Sequence, residues 1–559
     1  MQSTQDAFPL GAGPVPGSPH AAYVAARLAE TGRWGTETLA DCVDRHAVER
    51  PDASAFVAGS RRLNWAGMKA LTDHYAAVML ALGVESEERV AVLLPDGPLV
   101  HAMFVGLEKA GAIAVGIGPR AGRQEIAHLI RVSGATTMVT TADHRGSDMI
   151  ALVGAMRSEG LPLERHLVVN LDDPEDVRTA EGPIIPESGD ARTALAERRL
   201  GLSEIFLLNS TSGTTGMPKC VVHTQNRWRY FHKLAVDAGH LTTDDVFMGL
   251  IPAPFGFGIW TAHTTPIILG APTIVMERFD AASAIELIER ERVTVLSCVS
   301  TQFIMMLNSP ALDEHDLSSL RCMFTGGEAV PYERAAEFEQ RTGARVLQFY
   351  GSNETGALSR TRLRDTPEQR LRTAGRMIDE MQVRLFSEAG DDVTTTSRRG
   401  QAACAGPATC LGYYADPEAN TKLFTADGWM LTGDVVTIDD DYLTVVGRVS
   451  DFIIRGGKNI SAAAVEEQAS SHPAIALVAA VAMPDPVYGE RVCLFAVLRD
   501  GMSLTLEQLT DHMLAQGVSK EILPEFLEFV EDLPRSSGGK IAKGELRARL
   551  RRASDAGET

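Results

Sequence analysis

The stretch that most constrains this chain is Ser210–Lys219, which reads Ser-Thr-Ser-Gly-Thr-Thr-Gly-Met-Pro-Lys. Five hydroxyls and two glycines are followed by a proline and a lysine. Apolar runs flank it, Ile205 to Leu208 before and Cys220 to Val222 after. The pattern predicts a glycine-rich loop between two strands. Glycines let backbone N–H groups approach an anion, hydroxyls add donors, and Lys219 adds a point charge, so the chemistry suits phosphate. It is not a Walker A loop, because the lysine lies three residues beyond Gly216, behind Pro218, and no G-x-x-x-x-G-K-[ST] spacing is present. A hydroxyl-rich surface turn explains the composition equally well, since Ser and Gly are ordinary turn residues. The choice between them falls to the rest of the chain.

With 559 residues the chain can bury a large core and form more than one domain. Its formal charge of −20 argues against a nucleic-acid partner, which needs a basic patch. The seven cysteines (Cys42, Cys220, Cys298, Cys322, Cys404, Cys410 and Cys493) form no CxxC pair and no Cys/His ligand spacing. No zinc site is indicated, and the usage suits reduced thiols in a cytoplasmic protein. No basic segment followed by an apolar core opens the chain, so no secretory signal is predicted. The most apolar long stretch, 247–276, is broken by prolines, glycines and a histidine. A membrane span needs about 20 unbroken apolar residues, so buried strands and loops are expected there instead.

Taken in order, residues 1–34 read as a loose arm rich in Gly, Pro and Ser. Helical spacing begins at Leu39 and returns at Leu63 to Leu82. Arg89 to Leu94 reads as a strand, Leu99 to Lys109 as a helix and Ile113 to Ile117 as a strand, a βαβ unit that predicts a parallel sheet. Ala135 to Thr140 and His166 to Asn170 read as further strands, and Asp172 to Arg198 as a polar surface excursion. Beyond the hydroxyl-rich loop, Asn226 to Val236 reads as a helix. Phe255, Gly256, Phe257 and Trp260 set aromatics beside glycines, which serves an apolar ligand slot or core packing equally. His263 nearby is read as structural. Ala281 to Glu291 and Ser300 to Leu307 read as helices on either side of a strand at Val293 to Val299, with Met305 and Met306 read as core.

Five later motifs complete the pattern. Phe324-Thr325-Gly326-Gly327-Glu328 closes a short strand. Tyr350-Gly351-Ser352-Asn353-Glu354-Thr355 offers an aromatic face, which suits a purine, and a carboxylate, which suits a hard cation. Thr432-Gly433-Asp434 places a two-oxygen carboxylate where a vicinal diol could be held. Gly447-Arg448-Val449-Ser450-Asp451 runs on into Gly456-Gly457-Lys458-Asn459-Ile460. Leu533 to Ile541 carries Lys540 on a glycine-rich loop. Each motif alone is compatible with an ordinary turn.

In order and spacing, these segments together resemble the adenylate-forming superfamily of acyl-CoA synthetases, adenylation domains and luciferase-type enzymes. The resemblance covers roughly residues 35 to 550. It departs at Cys220 (usually Gly), at Phe255 (often His), at Asn353 (usually Ser or Thr) and at Ser450 (usually Asp or Lys). It implies an α/β fold: a large domain over 35–448 of doubly wound α/β subdomains plus a distorted β-barrel, a hinge at 449–452 around Ser450, a small mobile α+β domain over 453–550, and a tail at 551–559. It implies that a carboxylic acid and ATP give an acyl-adenylate and pyrophosphate, with transfer to CoA or to a phosphopantetheine carrier protein. Transfer to an amine is a further alternative, and a non-catalytic scaffold is disfavoured by the retained charges.

Residue by residue, the resemblance assigns the nucleotide to Thr211, Ser212, Gly213, Thr214, Thr215, Gly216, Gly327, Glu328, Tyr350, Asn353, Asp434 and Arg448. Lys219, Glu354 and Lys540 would be catalytic, with Glu354 also holding Mg2+. Phe255, Gly256, Phe257, Trp260, Phe303, Gly326 and Gly351 would line the acid pocket. The aromatic residues there point to an aromatic, cyclic or short-to-medium acyl acid.

Overall fold

The computed structural model describes residues 35–186, 191–211, 217–536 and 540–555. Among them, an eight-stranded sheet has a parallel centre. Its order is Arg165–Val169, Thr137–Thr140, Arg89–Leu93, Ile113–Gly116 and Ile205–Ser210. Cys220–Thr224 then turns back antiparallel against Ile205–Ser210, pairing Ser210 with Cys220. The expected βαβ unit is present, with Pro98–Ala110 as its helix. That helix buries every residue, which is why its sequence is apolar nearly all round. Its Lys109 is tolerated because its Nζ donates to Asp44 at 2.7 Å, Thr72 at 2.9 Å and Asp73 at 2.5 Å.

A second sheet, of thirteen strands, joins a parallel set to an antiparallel one. Thr273–Val275, Phe247–Gly249, Val295–Ser297, Cys322–Gly326 and Arg345–Ser352 run parallel. Gly356–Arg360 starts the antiparallel part, which continues through Tyr442–Arg448, Met430–Asp439 and Arg399–Ala405. The antiparallel strands are therefore hydrogen-bonded in continuity with the parallel set. Ser210, Gly326 and Ser352 all sit at the carboxyl ends of parallel strands, where the crevice of an open α/β sheet forms.

The 247–276 stretch departs from its sequence reading. Strands lie only at its ends, and between them run short helices at Gly256–Gly258 and Thr265–Leu269 joined by a π-helical segment, Ile259–Thr264. Tertiary packing overrides the strand-like composition there, since Ile259–Thr264 is wholly buried. Among the described residues no helix is long and apolar enough to cross a membrane. All seven cysteines are buried and free. His263 lies in the core with its Nδ1 3.0 Å from that of His101, in accord with a structural role.

After the 3-10 turn Val449–Asp451, a five-stranded sheet is built from Phe452–Arg455, Lys458–Ser461, Ile475–Asp485, Gly489–Leu498 and Phe526–Phe529. One face of Ile475–Asp485 meets the helix Ser300–Asn308. Leu477, Ala479, Val481 and Met483 share one apolar cluster with Phe303, Ile304 and Leu307. Arg334 fastens the same seam by donating to the Ile475 carbonyl at 2.8 Å.

Phe303, expected in the acid pocket, belongs to this cluster. It is fully buried and packs edge-on against Phe338, with ring centroids 5.7 Å apart. The helix turns Phe303 to the core because position 303 shares an inner face with Met306 and Leu307. Phe303→Ala should therefore cost about 3–5 kcal/mol of stability in denaturant titration. Relative kcat/KM values across a panel of acids should stay unchanged.

Candidate active site

The site is a cavity of about 300 Å³ at the carboxyl ends of the two parallel sheets. Its first wall is the mouth of the hydroxyl-rich loop. Thr211 and Lys219 close the loop's neck: the Thr211 N–H donates to the Lys219 carbonyl at 3.0 Å, and the Lys219 N–H to Thr211 Oγ1 at 3.1 Å. The Lys219 ammonium lies 5.3 Å from the centre of the Tyr413 ring. Both Thr211 and Lys219 line the cavity. Ser212, Gly213, Thr214, Thr215 and Gly216 lie outside the described residues.

The second wall is the tight turn between Arg345–Ser352 and Gly356–Arg360. Ser352 and Thr355 stitch it: the Ser352 N–H donates to Thr355 Oγ1 at 3.0 Å, and the Glu354 N–H to Ser352 Oγ at 3.2 Å. The Cys410 N–H holds the Glu354 carbonyl at 2.7 Å, and Tyr413 donates its hydroxyl to Glu354 Oε1 at 2.7 Å. Tyr350, before the turn, lines the cavity and donates its hydroxyl to Asp434 Oδ2 at 3.0 Å. Asp434 and Arg448 are cross-strand partners in register, and Arg448 Nε donates to Asp434 Oδ1 at 3.2 Å. Burial raises the Asp434 carboxyl above its ordinary range, with Arg448 opposing. Burial, with Asp434 alongside, drives the Tyr350 phenol well up.

The third wall comes from the small five-stranded domain. Lys540 reaches across and donates from Nζ to the Gly327 carbonyl at 2.7 Å. Gly327 has φ +81°, and a Cβ there would lie 2.8 Å from that ammonium, so the approach needs glycine. Gly326 and Gly327 line the cavity, while Glu328 is turned to accept from the Thr301 N–H at 3.2 Å. Burial raises the Glu328 carboxyl, and Lys540 opposes that rise. Burial lowers Lys540 below the usual ammonium range, Arg448 adds to the effect, and Glu328, Glu354 and Asp434 oppose it.

The remaining wall is apolar. Phe255, Gly256, Phe257 and Trp260 line the cavity, as expected, together with Gly351 and Asn353. Trp228, Phe231, Ile251, Val299 and Phe349 join them. Trp260 is the hub, with ring centroids 4.4 Å from Phe349 and 5.4 Å from both Phe231 and Phe257. The sequence reading placed a helix over Trp228 and Phe231 without assigning them to the site. Their i, i+3 spacing set both rings on one face, but nothing in the sequence showed which cavity that face met. Phe324 is 1% exposed and packs against Trp260 and Phe349.

Among the described residues, no three His, Cys, Asp or Glu side chains converge as a metal cage. A hard cation shared with a triphosphate needs only one or two protein carboxylates. Glu354, fixed by Tyr413 in the cavity wall, fits that donor set.

The cavity thus gathers the neck of a glycine- and hydroxyl-rich loop, the Glu354 carboxylate and the Lys540 ammonium beside an apolar slot. Residues 43–414 match the AMP-binding enzyme family, and residues 464–540 match the AMP-binding enzyme C-terminal domain. Over 543 residues the chain is 32% identical to 2-hydroxy-7-methoxy-5-methyl-1-naphthoate–CoA ligase of Streptomyces carzinostaticus, covering 95% of this chain and 96% of the relative. Over 528 residues it is 29% identical to medium-chain fatty-acid–CoA ligase of Escherichia coli K12, covering 94% and 92%. A solved anthranilate CoA ligase in complex with anthranoyl-AMP superposes with a TM-score of 0.82 at 23% identity, covering 93% of this chain and 98% of that one. The chain belongs to the AMP-binding enzyme family and is an AMP-forming acid–thiol ligase.

The Lys540 environment carries a pH signature. A lysine whose pKa is lowered keeps its charge only up to that lowered value and loses it as pH rises through it. Pyrophosphate release should therefore fall on an alkaline limb below the ordinary lysine range. Lys540→Arg should push that limb to higher pH, because a guanidinium stays protonated. A limb unmoved by this change would belong to another group.

Proposed function

We propose that this chain activates an aromatic carboxylic acid with ATP and passes the acyl group to CoA. The observation that carries this is Lys540, placed on the Gly327 carbonyl between the aromatic wall and the Tyr350, Glu354 and Asp434 cluster. The acid's carboxylate oxygen attacks the α-phosphorus of ATP. The bond to the β-phosphate oxygen breaks, giving acyl-AMP and pyrophosphate. The step asks the protein for positioning and charge stabilisation more than for covalent chemistry.

Asp434 takes the ribose hydroxyls and Tyr350 lies against the base. Thr211, Lys219 and the hydroxyl-rich loop hold the phosphates. Arg448 balances Asp434 and faces phosphate or ribose. Glu354 would hold a magnesium ion, whose charge offsets that of the triphosphate. Lys540 neutralises charge between the two reactants.

The second step sends a thiol sulfur to the acyl carbonyl and expels AMP. Residues 453–550 would swing about 449–452 to withdraw Lys540. Ser450 sits there in the 3-10 turn, and the following Asp451 is held by Arg547 at 3.0 Å. The naphthoate ligase among the relatives supports an aromatic acid, as do the six Phe and Trp rings that line the cavity. Buried free thiols support a cytoplasmic setting. A carrier protein is the second acceptor to test, since a pyochelin synthase is also among the relatives.

The deciding experiment measures ATP-dependent pyrophosphate release over a panel of acids, with and without CoA. Turnover with an aromatic acid that rises sharply with CoA and yields an acyl-CoA supports the proposal. A stoichiometric adenylate indifferent to CoA transfers the search to carrier proteins. Phe255→Ala should change the order of preferred acids. Lys540→Ala should slow adenylation by about 10²–10³-fold, the usual scale for one charge-stabilising donor. The same variant should largely retain transfer from preformed acyl-AMP, and equal losses in both steps would contradict its role.

A further inference from the structure

Between the neck of the hydroxyl-rich loop and the Glu354 turn lies a residue outside every sequence motif of the site. Tyr413 is buried, lines the cavity and touches both walls. Its hydroxyl donates to Glu354 Oε1 at 2.7 Å. Its ring centre lies 5.3 Å from the Lys219 ammonium. Among the described residues no other hydrogen bond reaches the Glu354 carboxylate. An ionised carboxylate only accepts, so the phenol is the donor. The contact occupies one carboxylate oxygen and leaves the lone pairs of the other.

The backbone around Tyr413 is tied to the same two walls. On one side, segment 411–414 pairs with the strand Cys220–Thr224, which begins directly after Lys219. The Val222 N–H donates to the Gly412 carbonyl at 3.0 Å and the Tyr414 N–H to the Cys220 carbonyl at 2.8 Å, while Tyr413 forms an antiparallel bridge with Val221. On the other side, the Cys410 N–H holds the Glu354 carbonyl, and Arg227 donates to the carbonyls of Ala408 and Asn353, each at 2.8 Å. Asn420 then clamps residue 413 itself. Its Oδ1 accepts from the Tyr413 N–H and its Nδ2 donates to the Tyr413 carbonyl, both at 2.8 Å. Asn420 is fully buried. Gly412 has φ +115°, and a Cβ there would stand 2.9 Å from Asn420 Oδ1, so the clamp needs glycine beside it.

A tyrosine kept for packing alone would be served by phenylalanine. Here the hydroxyl is spent on the carboxylate that fits a hard cation, and the ring face on the lysine of the phosphate loop. Glutamate and lysine side chains are both rich in rotamers, and one rigid ring restrains the two together. A cation shared with a triphosphate and a lysine on the same phosphates must stand at a set spacing. The ring supplies a fixed spacer between them.

We infer that Tyr413 is a positioning residue for adenylation: its hydroxyl sets the Glu354 carboxylate for the metal, and its ring sets Lys219 for the phosphates that the metal shares. The inference rests on the roles proposed for Glu354 and Lys219. Tyr413 acts through these two side chains.

The test uses the full-length enzyme with α,β-methylene-ATP, which cannot be cleaved to AMP. Mn2+ is titrated into that complex and the free ion is read by electron paramagnetic resonance. AMP affinity, read by calorimetry without metal, is the reference for general damage. In Tyr413→Phe, Mn2+ should bind about tenfold more weakly, the scale of a hydrogen bond to a charged group. AMP affinity should match the wild type. The kcat for pyrophosphate release should recover at high Mg2+, and KM for ATP at that saturating metal should be unchanged because the ring remains. Tyr413→Leu should show the same metal loss and raise that KM about two- to fivefold, the scale of a cation–ring contact. Tyr413→Phe keeps the packing, so the metal comparison stands should Tyr413→Leu fail to fold.

Unchanged Mn2+ affinity in Tyr413→Phe would overturn the inference. So would equal loss of Mn2+ and AMP affinity, which would make the tyrosine a packing residue. Glu354→Gln separates the inference from the reading beneath it. Mn2+ binding that survives Glu354→Gln would remove Glu354 as the metal ligand and the inference with it. Mn2+ binding lost in Glu354→Gln but intact in Tyr413→Phe would remove the tyrosine alone.

Discussion

Lys540 reaches the Gly327 carbonyl only because the small domain is docked on the large one, and that docking is an ordinary apolar seam. Leu477, Ala479, Val481 and Met483 press on the helix that carries Phe303 and Ile304. Arg334 closes the edge on the Ile475 carbonyl. The charge delivered by this contact is costly to hold, since burial and Arg448 both work against the ammonium. Glu328, Glu354 and Asp434 compensate. A cation held against desolvation is easy to release.

The rest of the site follows from where parallel strands end. Ser210, Gly326 and Ser352 stop at the same edge of two sheets, and the loops beyond them supply the neck of the hydroxyl-rich loop, the Gly326–Gly327 turn and the Glu354 turn. The antiparallel strands then add Asp434 and Arg448 as a registered pair facing Tyr350. A polar half of the cavity is thus fixed by backbone register. The apolar half is fixed by rings packed around Trp260.

Much of this was legible in the chain itself, because its motifs are local. The order from Ser210–Lys219 to Leu533–Ile541 carries the chemistry in short segments whose residue types have physical reasons: glycine for close approach, carboxylate for a diol or a hard cation, a lysine on a flexible loop. The βαβ unit around Pro98–Ala110 was readable because a buried helix and its strands are apolar in characteristic lengths. Segment 247–276 misled because a buried π-helical turn and a buried strand have the same composition.

What the sequence determined alone is therefore the reaction family and the short motifs that come together around the cavity. What only the tertiary structure decided is the shape and polarity of the acid site. Phe303 and Trp228 are both apolar residues on helices, and no local pattern told one from the other. Packing sent Phe303 into the seam against Phe338 and brought Trp228 to the cavity wall. The Lys219–Tyr413–Glu354 contact was equally invisible, since its members are brought together by the pairing of 411–414 with Cys220–Thr224 and by a turn 59 residues away along the chain. Sequence spacing records which residues are neighbours along one element. Which elements face each other is settled only when the whole core closes.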